Sequence, residues 1–363
     1  MSRRPAVAAA FLALAAGGLA AQEGGTRTRS AFENEIVWTV RPLTSAWSWL
    51  FEGRFEDLAG VAYDRVAHEV VALDQRQGRA GMFTPDLFPK FAFGGPQAMR
   101  NPGNLVVDLE GRIWVTFARV GALRRFNYRG DWLDDIEVPG ATGRANLSFL
   151  DLAPDGSILV GDAEAGQVLC LEADSGALRW RLGRKGYGRG RFSSPSGAAW
   201  SPDGSLLYVL ERGTPPPGSR DAFVVQAFRA SDREYQFGWG RHADGKMNFS
   251  APAAIAVTPA GLVVVCDAIQ HAVKVFDSMG KFLFQFGGLG TRPGDTYRPV
   301  DLAAGDGQIL YVAEKGTGRI QAFEFFREVR KNLPPGAPSG KEDSLLGEVP
   351  KSLGFSADPF GLD

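Results

Sequence analysis

A six-bladed β-propeller, an all-β ring of four-stranded antiparallel blades, is the fold this sequence predicts. One pattern recurs along the chain: an apolar strand, a tight turn, a second apolar strand ending in an acid, then a third strand ending in Phe or Leu. The second strands end at Asp74, Phe117, Asp162, Glu211, Asp267 and Glu314, spaced by 43, 45, 49, 56 and 47 residues, the length of a four-stranded blade. Glycine is abundant, at 46 of 363 residues, and follows no collagen period, as a fold made of tight turns requires.

In chain order, residues 1–21 have the make-up of a secretory signal. Arg3 and Arg4 precede a short apolar run from Ala6 to Ala16, and small residues follow from Gly17 to Ala21. The run is short for a membrane span. The expectation is an exported protein, periplasmic or secreted, with no transmembrane segment unless the signal stays uncleaved. A linker occupies 22–34, and Glu35-Ile36-Val37-Trp38-Thr39-Val40 reads as a strand outside the repeat. The clearest copy of the repeat starts at Pro252 and turns at Pro259-Ala260-Gly261. It continues through Leu262–Asp267, Ala272–Asp277 and Phe282–Gly287. The insertion Gly213–Gly218 lengthens one loop. The last copy, from Pro299, supplies three strands before the sequence turns polar at Arg327. The strand at 35–40 is therefore expected to complete that blade and close the ring, which removes a long exposed edge. This places the propeller at 35–326. Residues 327–363, with scattered Pro, Gly, Ser and charge, read as an extended or disordered tail.

Arg319-Ile320-Gln321-Ala322-Phe323, the close at Phe286-Gly287, the proline-led first strands and the strand end Val265-Cys266-Asp267 carry a resemblance. They are similar to NHL repeats over residues 36–325, and the chain resembles an exported, bacterial-type member of that propeller family. Blade 2 departs from the motif, with Thr116-Phe117 where the acid belongs, and blade 3 lacks the leading proline. Both read as degenerate copies.

Composition narrows the function. A hydrophobic content of 44% with 22% charge is ordinary for a globular chain, and a formal net charge of −1 gives no global field that recommends nucleic acid. RNA binding, which the resemblance implies for some members, fits export poorly. Cys170 and Cys266 fall a blade apart, beyond the roughly 7 Å reach of a disulfide, and are expected to be buried free thiols. His68, His242 and His271 fall in loops that open on different faces. They are not expected to share a zinc ion of the kind held by the amidating lyase that resembles this fold. The repeated acids Asp74, Asp162, Glu211, Asp267 and Glu314 are read as structural, since an acid at a strand end followed by a tight loop accepts backbone N–H bonds.

Two candidate sites remain. Six-bladed lactonases of the gluconolactonase type hold one divalent metal at the central channel. The inner strands here offer only Asn104, Asp151 and Asp301 as oxygen ligands for such a cation. The connections between blades are long, glycine-rich and basic, with Arg100, Asn101, Arg184, Lys185, Arg189, Arg191, Arg241, His242, Arg292 and Arg298 forming a positive rim. Such a rim suits a protein or an anionic polymer bearing carboxylates or phosphates. The leading expectation is thus an exported, non-enzymatic binding or scaffolding propeller that uses its inter-blade loops and no cofactor. The alternative is a metal-dependent lactonase or lyase acting at the central channel.

Overall fold

The structure, a computed structural model, describes residues 35–49, 53–117, 120–141, 145–243 and 245–330. The expected signal, linker and most of the tail lie outside the described residues. Residues 37–328 make up one compact unit; nearly all of the second, formed by the two chain ends, is likewise outside them. No helix among the described residues is long and apolar enough to cross a membrane.

The ring has the six blades expected. After β1 (Glu35–Ala46), blade 1 is β2 (Leu58–Asp64), β3 (Glu69–Asp74), β4 (Arg79–Phe83) and β5 (Pro89–Gly94). Blade 2 is β6 (Pro102–Val107), β7 (Ile113–Phe117), β8 (Ala122–Phe126) and β9 (Trp132–Glu137). Blade 3 is β10 (Leu147–Leu152), β11 (Ile158–Asp162), β12 (Gln167–Leu171) and β13 (Leu178–Leu182). Blade 4 is β14 (Pro195–Trp200), β15 (Leu206–Glu211), β16 (Val225–Arg229) and β17 (Tyr235–Trp239). Blade 5 is β18 (Pro252–Val257), β19 (Val263–Asp267), β20 (Ala272–Phe276) and β21 (Phe282–Gly287). Blade 6 takes β22 (Pro299–Ala304), β23 (Ile309–Glu314) and β24 (Arg319–Arg330), and β1 pairs with β24 to complete it.

The N-terminal strand thus closes the ring, but the propeller's end at residue 326 needs correction, because β24 runs on to Arg330. The polar run after Phe326 belongs to the outermost strand pair, where solvent reaches the sheet. Arg41 donates to Glu324 at 2.7 Å, and Arg327 lies 4.7 Å over the Trp38 ring. Polarity there marks an outer edge and does not end the strand.

Side chains alternate in the outer strands and are buried on both faces in the middle ones, where β7, β11, β19 and β20 are buried throughout. The core is therefore a set of seams between blades. One seam joins Ala62, Val71, Leu73 and Met82 of blade 1 to Leu105, Val107, Ile113 and Val115 of blade 2. The closing seam packs Tyr311, Ala313 and Ile320 of blade 6 against Val61, Tyr63 and Phe83 of blade 1. Around the axis the first strands need small residues. A Cβ on Gly197 would sit 3.0 Å from Ile255 of the next blade.

The repeated acids hold the crossings of the chain on the inter-blade face. Asp74 accepts the backbone N–H groups of Glu56, Asp57, Arg76 and Gln77. Asp267 accepts those of Ser250, Ala251, Ile269 and Gln270 at 2.6–3.1 Å. Glu211 takes Ser193, Ser194 and Gly213, and Asp162 takes Glu164 and Ala165. Glu314 accepts Tyr297 N–H and the buried Arg319 guanidinium at 2.8 Å. Each carboxylate ties the loop entering its blade, the loop leaving the second strand, or both. A second device, absent from the sequence reading, works from the third strands. Gln226, Lys274 and Gln321 occupy one register position, and their buried side chains bond the carbonyls or N–H groups of the inter-blade loops. The glycine-rich loops are fixed from beneath.

Replacing Asp267 by Ala leaves four N–H groups without their acceptor. It should cost about 3 kcal/mol or more of stability. Asp277, which caps an outer turn through Met279 and Lys281, should cost under about 1 kcal/mol on the same change. Urea denaturation of both variants measures the difference.

Candidate functional site

The six first strands line a central channel of about 700 Å³. Asn104 of β6 and Asp301 of β22 stand at the same level, each two residues after the proline that opens its strand and pairs with the end of the second strand. Asp301 Oδ2 accepts the Val61 N–H at 3.0 Å and the Asn104 amide at 3.1 Å, and Oδ1 accepts the Leu302 N–H at 3.0 Å. Asn104 Oδ1 in turn accepts the Leu150 N–H at 2.9 Å. A hydrogen-bonded belt therefore runs from blade 6 through blades 1 and 2 to blade 3.

Asp151 is not part of the belt. Leu147 of β10 opposes Asp162 and Phe149 opposes Gly161, so Asp151 stands two residues beyond the Asn104 level, roughly 6–7 Å along the strand. Of the three expected ligands, the structure brings Asn104 and Asp301 together and separates Asp151. The pair's oxygens are already committed to protein donors. Among the described residues no group of three or more His, Cys, Asp or Glu is arranged to hold a metal. These residues do not form the divalent site that the lactonase alternative would need.

Both carboxyls are electrostatically unusual. Enclosure by protein pushes Asp301 up to about 7 against the pull of its three hydrogen bonds, and the charge of Asp151 adds to the rise. Asp151 is likewise pushed up to about 7 by burial, with Arg65 pulling the other way from the turn after β2.

The end of the channel on the inter-blade face is cationic. Arg212, Arg298 and Lys315 line it with Gln75. Lys315 pairs with Asp57 at 2.7 Å, whereas the exposed guanidinium groups of Arg212 and Arg298 have no acidic partner among the described residues. Arg212, Lys315 and Gln75 escaped the sequence reading. The signal was there: each directly follows a repeated acid, the position that the staple turns toward the channel mouth.

The ten expected rim residues all lie on inter-blade connections, but they do not form one patch. Arg298 borders the channel. Arg100 and Asn101 line a separate cavity beside blade 2. Lys185 needs correction, because its ammonium group donates to the carbonyls of Ala163 at 2.6 Å and Ser193 at 2.9 Å and so holds its own loop. Arg189 reaches Asp221 at 3.4 Å and lies over Tyr235, and Arg241 donates to the Arg220 carbonyl over Phe223. Arg184 and Arg292 are exposed and Arg191 is half-buried, without an acidic partner among the described residues.

His242 also needs correction as a rim contact. Both of its ring nitrogens are buried, in a small cavity bordered by Glu211, Gln226 and Tyr187, and burial lowers its pKa. His68 meets Asp306 and His271 accepts the Arg298 N–H, so the three histidines serve three places, as expected. Cys170 and Cys266 are buried free thiols; burial pushes Cys170 up to about 11 and raises Cys266 as well.

No protein-family model matches this chain. RING finger protein nhl-1 of Caenorhabditis elegans is 44% identical over 69 residues, 19% of this chain and 6% of that protein. Protein brain tumor of Drosophila melanogaster is 31% identical over 86 residues, 23% of this chain and 8% of that protein. The matched stretches thus cover less than a tenth of either relative. Among solved structures, a gluconolactonase from Xanthomonas campestris is similar with a TM-score of 0.54 at 19% identity, over 83% of this chain and 100% of that one. A streptogramin B lyase is similar with a TM-score of 0.54 at 11% identity, over 81% and 98%. At these identities the likeness bears on the fold alone. Fold and repeat together define a six-bladed β-propeller. Its blades are similar to NHL repeats, as the partial matches to two NHL-repeat proteins show.

A carboxyl whose folded pKa lies above its unfolded value binds more protons when folded, so stability falls as pH rises from about 4 through about 7. Asp151→Asn removes one such group. Between pH 5 and pH 8 this variant should lose at least about 1 kcal/mol less stability than the unaltered protein. Denaturant titrations at the two pH values check this.

Proposed function

We propose that this protein is a binding propeller that receives the anionic part of its ligand at the inter-blade mouth of the central channel. The observation that supports the reading is the pair Arg212 and Arg298. Two exposed guanidinium groups from blades 4 and 6 border a channel large enough for a small molecule or a peptide end, and neither is paired with an acid among the described residues. The surrounding loops are held by buried Gln226, Lys274 and Gln321, so the mouth is preorganised. The wider rim then contributes general positive potential through Arg184 and Arg292. An exported setting, periplasmic or secreted, belongs to the same proposal and rests on residues 1–21.

A second reading, hydrolase or lyase chemistry in the channel, is favoured by one observation: Asp151 and Asp301 both sit near neutral pKa where the channel reaches them. The gluconolactonase and the streptogramin B lyase of similar fold make it worth separating. Metal analysis of the purified protein does so, since a stoichiometric divalent ion would transfer the weight to this reading.

A thermal-shift screen of di- and tricarboxylates and phosphate esters should find ligands whose effect weakens with salt. Arg212→Ala and Arg298→Ala should each weaken the best of them about tenfold, the value of one lost charge-assisted hydrogen bond. Lys185→Ala should instead lower stability, through its lost loop contacts. Undiminished binding by the double arginine variant would remove the reading.

A further inference from the structure

Blade 2 departs from the staple on which the other blades rely. In five blades the residue opposite the start of the first strand is an acid, in the pairs Leu58 with Asp74, Leu147 with Asp162, Pro195 with Glu211, Pro252 with Asp267 and Pro299 with Glu314. In four of them the structure shows that acid accepting N–H groups from the one or two residues leading into the strand. Blade 2 keeps the register, with Pro102 opposite Phe117. A phenyl ring accepts none of these bonds.

The residues leading into β6 are Arg100 and Asn101. Among the described residues, neither backbone N–H has an acceptor. Blade 6 shows what else can serve. There Arg298, with φ 54° like Asn101, gives its N–H to His271 Nδ1 at 3.1 Å. The matching position beside blade 2 is Gly78, which has no side chain to offer. Two adjacent amide donors are therefore left without an acceptor among the described residues, where five other blades place a carboxylate.

They border open space. A cavity of about 440 Å³ is lined by Arg100, Asn101 and Gln97 on one side and by Phe117, Val120 and Leu123 on the other. Asp135 also reaches it, but Arg124 neutralises that carboxylate with bonds of 2.7 and 2.9 Å and gives a third to the Ala98 carbonyl at 2.6 Å. The Arg100 guanidinium is exposed and has no acidic partner among the described residues. Among the described residues the pocket is thus net cationic, with N–H donors that lack an acceptor and an apolar floor.

We infer that this cavity binds a carboxylate supplied from outside the chain, which takes the place of the acid that blade 2 lacks. The ligand class is a carboxylate attached to an apolar group, which the Phe117 side would cover. The site lies on blade 2, apart from the channel mouth, and does not depend on the function proposed there.

The test follows the amide signals of the ¹⁵N-labelled full chain during titration with sodium acetate, with sodium chloride as the ionic-strength control. Saturable shifts are expected at Arg100 and Asn101, and not at Ser193 or Ala251, whose amides are already bonded. Phe117→Asp supplies the acid from within. It should abolish the acetate response and raise the unfolding midpoint, while Arg100→Gln, a surface change, should weaken acetate about tenfold. A short peptide ending in Phe, as free acid and as amide, and an amidated peptide with an internal Glu then distinguish a main-chain from a side-chain carboxylate. The inference is overturned if acetate moves neither amide, if folded Phe117→Asp responds as the unaltered chain does, or if the fully amidated, Glu-free peptide binds as tightly as the free acid.

Discussion

One carboxylate at the end of the second strand, present in five of the six blades, carries a disproportionate share of this architecture. A propeller blade is a simple meander, and its outer strands hold only to the strand before them. The difficult places are the crossings on the inter-blade face, where the chain arrives from one blade and soon turns out of the next. Backbone N–H groups converge there with no ladder to satisfy them. Asp74 and Asp267 each gather four, and Glu314 extends the arrangement to Arg319 and Gln321 of the third strand. Packing between blades then needs only small residues near the axis and larger ones outward.

The same economy shapes the inter-blade face. A count of cations on the inter-blade loops overstates what is free to meet a partner. Lys185 and the buried Lys274 spend their ammonium groups on loop carbonyls, and Arg319 is enclosed beside Glu314. What remains open among the described residues includes Arg212 and Arg298 around the channel, Arg100 over the gap in blade 2, and Arg184 and Arg292 further out. Exposure limits what this face can offer more than the number of charges does.

Much of the fold was legible because each blade repeats the same physical demands. The spacing of strand-end acids, the proline-led first strands and the orphan strand at 35–40 lead to six blades and to the manner of closure. The polar stretch 327–330 misled, because an outermost strand pair and a solvated tail share a composition. The candidate site was less legible. Asp151 looks equivalent to Asp301 until pairing registers are known, and a two-residue offset separates them along the axis. His242 looked like a loop contact, yet both ring nitrogens are enclosed. Arg212 went unnoticed because its importance lies in the direction a neighbouring acid imposes on it, which no residue type reveals.

The completion of blade 6 by β1 has a consequence in time. Ala46, at the end of β1, and Arg319, at the start of β24, are 273 positions apart in the chain. During synthesis the opening strand waits, unpaired, while five blades are made and only the last strand can receive it. Closure is therefore a late, long-range event, slow on entropic grounds. Until it happens the nascent ring carries an open sheet edge that a neighbouring chain can occupy.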